Sequence, residues 1–126
     1  GRTALFYGSE GGHLGVLRKL LECGADMEVT SSDKGHTPLM VGSEQGHFGV
    51  VRELLNQGAA LEVADTTLGR TALFFACEQG HDSVVRELVN RGAAICATDN
   101  RGRTPLIASS GKGCLSVVCE LLQHDH

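Results

Sequence analysis

A five-residue phrase recurs four times along this chain: a glycine, a variable residue, a threonine, an alanine or proline, and a leucine. The threonines of the phrase are 34, 34 and 33 residues apart, at Thr3, Thr37, Thr71 and Thr104. A second phrase keeps the same step and reads Gly12-His13, Gly46-His47, Gly80-His81 and Gly113-Cys114. A period of this length indicates a repeat architecture, in which each unit buries its apolar face only against its neighbours.

Each copy begins with signals for a short helix. The threonine hydroxyl can accept a hydrogen bond from a free amide of the first helical turn, which predicts an N-cap. Pro38 and Pro105 directly follow two of these threonines and occupy the first helical position, where a missing amide hydrogen costs nothing. We expect a first helix of about eight residues, ending near Gly12, Gly46, Gly80 and Gly113. Gly8 and Gly42 lie inside it and predict close approach of a neighbouring backbone.

A second helix is predicted in each copy, over residues 13–22, 47–57, 81–91 and 114–123. In the first copy its apolar residues recur at helical spacing, at Leu14, Leu17, Leu20 and Leu21. Three glycines follow where a helix C-terminus favours a left-handed residue, at Gly24, Gly58 and Gly92. Arg18, Arg52 and Arg86 share one position on the polar side of this helix, and we expect them to be solvated.

A polar linker connects each second helix to the next phrase. The third linker contains Asp99-Asn100-Arg101-Gly102, a sequence that favours a tight turn. Alignment from the closing glycines places Ser31 and Asp65 opposite Asp99. The first two linkers then carry one extra residue at their tips, so we expect their turn geometry to differ from the third.

These phrases resemble the ankyrin repeat. The second copy carries the family's pattern at Gly35, Thr37, Pro38, Leu39, Gly46, His47, Val50, Val51, Leu54, Leu55, Gly58 and Ala59. The resemblance implies an all-α solenoid of stacked helix-turn-helix units with short β-hairpin loops. It divides a single domain, 1–126, into repeats at about 1–34, 35–68, 69–101 and 102–126, the first and last of them incomplete.

The chain departs from the family pattern at two positions. The histidine that follows the family's Thr-Pro-Leu is replaced by apolar residues, which predicts a buried apolar ladder of Phe6, Met40, Phe74 and Ile107. The asparagine of the family's hairpin is replaced by Glu28, Glu62 and Cys96. Modification of that asparagine is therefore not expected here.

Composition narrows the classes of partner. A net charge of −4 and an aromatic content of 4% do not favour nucleic acid, which rewards a basic face or stacking rings. No apolar run reaches the roughly 18–20 residues that span a bilayer, so membrane insertion is not expected. The five cysteines include no Cys-x-x-Cys pair, which favours a reducing intracellular compartment, cytoplasmic or nuclear.

Three patterns suggest chemistry, and each has a simpler structural explanation. His81-Asp82-Ser83 names the members of a hydrolase triad, but consecutive residues at a helix start do not converge in space. The repeated Gly-His histidines are too widely spaced in a stack to share a metal ion; the resemblance implies that each holds the turn between its two helices. Gly111-Lys112-Gly113 lacks the spacing of a phosphate loop. Cys77 is expected in the core and Cys119 at the surface. We predict no catalytic residue, no metal site and no cofactor.

The resemblance implies non-catalytic recognition of another protein, or of an extended peptide segment, through the concave face and the hairpin tips. The positions that match the family's concave surface include His36, Glu44, Gln45, Arg70, Glu78, Gln79, Arg103 and Lys112, together with Arg2, Glu10 and the two glycines Gly11 and Gly111. They predict a basic strip beside an acidic strip. An alternative function is a structural or regulatory spacer within a larger multidomain protein.

The two ends of the stack are expected to expose apolar side chains. Without a neighbouring repeat, these would be Leu5, Phe6 and Leu14 at one end and Leu115, Val118 and Leu122 at the other. Such ends indicate a segment of a longer array, or caps supplied elsewhere. They also predict weak end-to-end self-association, because the two ends are complementary but not identical.

Overall fold

The computed structural model describes residues 3–111 and 113–124. In this part of the chain there are eight α-helices and no strand. Their bounds are α1 (Ala4–Gly11), α2 (Leu14–Glu22), α3 (Pro38–Gln45), α4 (Phe48–Asn56), α5 (Ala72–Gln79), α6 (Asp82–Asn90), α7 (Pro105–Gly111) and α8 (Leu115–His124). Each of the four expected repeats contains one pair of helices, which confirms the all-α helix-turn-helix stack.

The first helix of every repeat begins at the predicted threonine. The Thr37 hydroxyl accepts a hydrogen bond from the Met40 amide at 3.2 Å, and the Thr71 hydroxyl accepts one from the Phe74 amide at 3.4 Å. Pro38 is the first residue of α3, where its missing amide hydrogen leaves no bond unmade. These caps fix where the first helices begin, and hence the direction in which each chain segment enters the stack.

Each complete second helix ends in a motif that requires glycine. After α2, Gly24 has a φ of +86°. The Gly24 amide donates to the Leu21 carbonyl at 3.0 Å, and the Ala25 amide donates to the Leu20 carbonyl at 3.0 Å. This pattern is a Schellman motif, and it pairs two of the helix's last carbonyls. The same left-handed glycine follows α4 and α6, so the prediction for all three glycines is confirmed.

The first helices form one layer and the second helices another. The α3 helix packs closely against α1 and α5, whereas neighbouring second helices touch less extensively. A methyl group placed on Gly42 would lie 3.1 Å from Val50 Cγ1, in the second helix of the same repeat. The prediction of a neighbouring backbone at this glycine was therefore wrong, because the close neighbour is a valine side chain.

The apolar ladder is buried at three of its four positions. Phe6, Met40 and Phe74 are almost fully buried, whereas Ile107 is 51% exposed. The difference shows that this position faces the following repeat, since no described residue covers it in the fourth repeat. The ladder is therefore confirmed between repeats one and four, and the prediction fails only at Ile107.

The exposed residues at the first end of the stack differ from those predicted. Leu5 and Phe6 are buried because their side chains point toward the rest of the stack. Tyr7 and Val16 are exposed instead, at 54% and 53%. Their counterparts in later repeats are buried, so these positions face a preceding repeat. Leu14 is partly buried.

At the other end of the stack the prediction is confirmed for two residues. Leu115 and Leu122 are exposed, while Val118 is half-buried. Both ends therefore carry apolar side chains, but each end uses different repeat positions.

The loops between repeats close as hairpins at the aligned positions. Ser31, Asp65 and Asp99 donate their amides to the carbonyls of His36, Arg70 and Arg103, respectively, at 2.9 Å in each case. The extra residue changes the turn inside the first hairpin, where the Gly35 amide bonds to the Ser31 carbonyl four residues back. In the third hairpin the Gly102 amide reaches only three residues back, to the Asp99 carbonyl. The expected difference in geometry is confirmed there.

Two kinds of side chain tie successive repeats together by hydrogen bonds to the backbone. The Glu28 carboxylate accepts from the Ala60 amide of the next repeat at 2.9 Å, and Glu62 does the same for Ala94. The His47 ring lies within hydrogen-bond distance of a carbonyl of the preceding repeat, 3.0 Å from Glu10. The glutamates that replace the family's asparagine thus still connect repeats.

Candidate protein-binding surface

Arg70, Glu78 and Arg103 form a continuous ion-pair chain on the first-helix side of the stack. Arg70 Nη1 lies 3.4 Å from Glu78 Oε1, and Arg103 Nη2 lies 3.3 Å from Glu78 Oε2. Both arginines directly precede a helix-capping threonine, while Glu78 lies in the last turn of α5. One carboxylate therefore bridges arginines of two repeats. The predicted basic and acidic strips are in contact and largely neutralise each other here.

Aromatic rings lie beneath both guanidinium groups. The Arg70 Cζ atom lies 4.4 Å from the centroid of the Phe75 ring, and Arg103 Cζ lies 5.3 Å from the centroid of Phe74. A guanidinium over a ring at this distance is attracted by the negative face of the ring. The two arginines are consequently held in fixed positions by a ring on one side and a carboxylate at the edge.

Two buried aspartates hold the same arginines from the hairpins. Asp65 Oδ2 lies 3.1 Å from Arg70 Nη2, and Asp99 Oδ2 lies 3.5 Å from Arg103 Nε. Asp99 also pairs with Arg101, at 3.0 Å. Each aspartate further accepts the backbone amide that closes its hairpin, from Arg70 at 2.7 Å and from Arg103 at 2.9 Å. Hairpin and first helix are therefore joined by the same side chains.

These contacts keep the aspartates ionised. Burial by itself would raise the pKa of Asp65, but hydrogen bonds from Thr67 and Arg70 outweigh it and lower the pKa below its ordinary value. At Asp99 burial likewise favours a higher pKa, but the hydrogen bonds from Arg103 and Arg101 outweigh it and lower the pKa. Both carboxylates are thus negative at neutral pH and can hold their arginines.

His36 is buried, although the sequence placed it on the concave surface. Only 7% of the residue is exposed. Its ring packs edge-on against Phe75, with 5.0 Å between centroids, and its Nε2 atom lies 3.5 Å from Asp65 Oδ2. The second repeat therefore presents no basic side chain where the third and fourth present Arg70 and Arg103.

The burial of His36 changes the surroundings of Glu44, which is the counterpart of Glu78 in the second repeat. Glu44 is half-buried and makes no ion pair with any other residue that the structure describes. Gln45 and Gln79 are exposed beside the two glutamates. Of the other predicted positions, Lys112 and Arg2 lie outside the described residues.

The sequence did not single out the aspartates or Phe75 as parts of this surface. A usable signal was present, since Asp65 and Asp99 align with each other and precede Arg70 and Arg103 by five and four residues. The position of Phe75 gave a weaker signal, because the equivalent residues are Tyr7, Val41 and Ala108, of which only Tyr7 is aromatic.

A family model described as ankyrin repeats (3 copies) matches residues 1–65 and again residues 59–126. The two matches together span the chain. The chain belongs to the ankyrin repeat family. No match was found among curated proteins. Ankyrin repeats are generally protein–protein interaction modules and are typically non-catalytic, which agrees with a surface of fixed charged groups.

The ankyrin stack also explains the repeated histidines. The imidazole of His81 lies 2.9 Å from the Glu44 carbonyl oxygen of the preceding repeat, as His47 lies near Glu10. The expectation that this histidine holds its own turn was therefore incomplete, because its ring connects two repeats. Because its ring is already bonded to the Glu44 carbonyl, His81 serves a contact between repeats and not a triad with Asp82 and Ser83.

The cysteines and the possible metal ligands were the other candidates for chemistry. Burial raises the pKa of the Cys77 thiol to about 12, with a smaller contribution from Cys114, so Cys77 is a neutral core residue, as predicted. Cys119 is exposed, also as predicted. Across the described residues, no group of three His, Cys, Asp or Glu side chains could hold a metal ion, and no helix is long and apolar enough to cross a membrane.

The second-helix arginines are exposed as expected, but two of them are paired. Arg18 Nε lies 3.1 Å from Glu53 Oε1, and Arg86 Nε lies 3.3 Å from Glu120 Oε1. Each pair joins one ankyrin repeat to the next on the outer layer. Such exposed pairs contribute little to stability.

Proposed function

We propose that this ankyrin domain recognises another protein, through an extended segment that lies across the first helices and the hairpin tips. The ion-pair chain of Arg70, Glu78 and Arg103 supports this proposal, because its groups are held in place before a partner arrives. Because fixed donors and acceptors lose little conformational entropy on binding, the free energy of association is more favourable.

The charge pattern indicates which partner segment fits. Glu44 pairs with no cation among the described residues, and Arg101, at the other side of the chain of ion pairs, is an exposed cation that shares the Asp99 carboxylate with Arg103. A segment with a lysine or arginine at the Glu44 end and a carboxylate at the Arg101 end is complementary to both. The exposed amides of Gln45 and Gln79 can bond to the backbone of a segment between them.

A quantitative pull-down with a charge-reversed surface tests this proposal. Glu44→Lys should reduce capture of partner proteins, while Glu22→Lys, an exposed charge in α2 on the other layer, should leave it unchanged. Circular dichroism would verify that both variants are folded. Equal capture by the wild type and by Glu44→Lys contradicts the proposal.

The spacer function is the alternative, and the internal neutralisation of the third and fourth repeats favours it. A surface whose charges satisfy one another needs no partner. Under this alternative the Glu44→Lys variant captures the same proteins as the wild type, and the two functions are separated by the same experiment.

We also propose weak end-to-end self-association of the chain. Tyr7 and Val16 at one end occupy positions that in inner repeats pack against a preceding repeat, and Ile107 and Leu122 occupy positions that pack against a following one. Sedimentation across a concentration series should show an increasing average mass, and Tyr7→Glu or Leu122→Glu alone should abolish it. A mass that does not change with concentration contradicts self-association.

We propose an intracellular location, in the cytoplasm or the nucleus. All five cysteines are free thiols, and three of them are exposed, which suits a reducing compartment. Expression of a tagged chain in cells, followed by fractionation, would test this location; recovery in the secreted fraction would contradict it.

A further inference from the structure

A groove on the second-helix layer has a composition unlike the surface around it. It lies between α2 and α4, has a volume of about 430 Å³, and is lined by Leu14, Arg18, Phe48, Gly49, Arg52, Glu53 and Asn56. Clefts that bind small ligands span about 300–1,000 Å³, so the groove can take at least one side chain. It belongs to the opposite layer from the surface described above.

The apolar part of the groove occupies a helix position that is apolar in α2, α4 and α8 and polar only in α6. Phe48, the first residue of α4, is 38% exposed. The same position in α6 is Asp82, a choice that suits the partial positive charge of a helix N-terminus. Phe48 gives up this advantage and leaves its aromatic ring partly exposed. Leu14 at the same position in α2 is only partly buried beside it.

A glycine in α4, Gly49, keeps this apolar surface open. A methyl group on Gly49 would lie 3.3 Å from Leu14 Cδ2, and a methyl group on Gly15 would meet no atom within 4 Å. The residue that corresponds to Gly49 in α6 is Ser83. The absence of a side chain at Gly49 leaves the adjoining surface of Leu14 uncovered.

An unpaired cation lies at the rim of the groove. Arg18 and Arg86 each pair with a glutamate of the following repeat, Glu53 and Glu120. The corresponding partner of Arg52 would be Glu87. That carboxylate is paired instead with Arg91, at 2.7 Å.

Asn56, which lines the groove together with Arg52, is also occupied by Arg91, because the Arg91 Nη2 atom donates to Asn56 Oδ1. Arg52 consequently forms no ion pair or hydrogen bond with any described residue and is exposed. The Arg18–Glu53 pair, which connects α2 to α4, is neutral as a pair. Among the described residues that line the groove, Arg52 is therefore the one charge without a counter-charge.

From these observations we infer that the α2–α4 groove is a second docking site, for a short partner segment that presents an apolar side chain and a carboxylate within about one helical turn of each other. The apolar side chain packs between Leu14 and Phe48, and the carboxylate pairs with Arg52. This site acts independently of the first-helix surface, because none of its residues belongs to that surface.

The double variant F48D/G49S is the sharpest test, because it gives α4 the Asp-Ser pair that α6 carries naturally. It is therefore expected to fold, and a urea melt would verify this. Arg52→Ala removes the cation from an exposed site. Arg86→Ala is the matched control, since Arg86 lies at the same helix position but is already paired.

Peptides selected on the wild-type chain from a random linear library displayed on phage serve as the probe. We expect a class of peptides that bind about tenfold or more weakly to F48D/G49S and to Arg52→Ala, yet equally well to Arg86→Ala and to Glu44→Lys. These peptides should carry an apolar residue next to aspartate or glutamate. Peptides that are sensitive only to Glu44→Lys would test the first-helix proposal instead.

Three outcomes overturn the inference. The first is that no selected peptide distinguishes the wild type from F48D/G49S. The second is that the sensitive peptides lack an acidic residue and tolerate Arg52→Ala. The third is that F48D/G49S abolishes self-association in sedimentation, which would make a second copy of the chain the occupant of the groove.

Discussion

The Nε2 atom of His81 lies 2.9 Å from the carbonyl oxygen of Glu44, so an imidazole from the third repeat bonds to the last turn of α3 in the second. A methyl group on Gly46, the left-handed residue that ends α3, would lie 2.6 Å from His81 Nδ1. Glycine at this cap therefore serves two purposes, since it adopts the positive φ and leaves room for the ring of the next repeat. The same arrangement joins His47 to the first repeat.

The fourth repeat lacks this connection, which leads to a first prediction. Cys114 replaces the histidine, and its Sγ atom occupies the space over Gly80. We expect Cys114→His to restore a bond to the Glu78 carbonyl and to raise the free energy of unfolding by about 0.5–1.5 kcal/mol. Urea denaturation measures the change, with Cys114→Ala as the control for loss of the thiol. An equal or lower stability for Cys114→His would show that the ring cannot enter this junction.

The ion-pair chain leads to a second prediction. Glu78→Gln removes the carboxylate shared by Arg70 and Arg103 and should destabilise the fold by about 1 kcal/mol at low salt, and by less at high salt. Glu44→Gln is the matched variant, because Glu44 pairs with no cation among the residues that the structure describes. Its stability should stay within about 0.5 kcal/mol of the wild type. Equal losses from the two variants would mean that the Arg–Glu contacts contribute nothing measurable.

Local structure could be predicted from the sequence because it depends on local chemistry. A threonine that caps a helix, or a glycine that adopts a positive φ, acts on residues within one turn, so the starts of α3 and α5 and the end of α2 followed from those residues alone. Burial of the ladder followed from its repeated apolar character.

The surface could be predicted only in part, because its charges depend on contacts between repeats. His36 has the same repeat position as Arg70, but its ring is buried against Asp65 of its own repeat's hairpin and Phe75 of the following repeat. The exposed residues at the first end of the stack were misjudged for a related reason. The sequence shows that Phe6 and Tyr7 are adjacent, but not which of them faces the next repeat.

The aspartates of the hairpins lead to a third prediction, on acid stability. Because the pKa of Asp65 is lower in the folded chain than its ordinary value of 3.8, the folded state binds fewer protons than the unfolded state. Its contribution to stability is therefore complete above about pH 4 and is lost as the pH falls through the folded pKa. We expect Asp65→Asn to be less stable at neutral pH and to lose less stability below pH about 4. Parallel stability curves for the two proteins would show that Asp65 does not couple folding to protonation.

The ladder position provides the last prediction, because it places one buried and one exposed residue at the same site of two repeats. Phe74 is buried between repeats and supports the Arg103 guanidinium, whereas Ile107 is half-exposed at the end of the stack. Phe74→Ala removes a buried ring and should lower the free energy of unfolding by about 3–5 kcal/mol. Ile107→Ala loses little buried area and should cost less than about 0.5 kcal/mol. Urea melts at one protein concentration, low enough to suppress self-association, measure both. Because self-association is suppressed, a loss at Ile107 approaching that at Phe74 would mean that Ile107 is buried within a single chain, which contradicts an exposed end of the ladder.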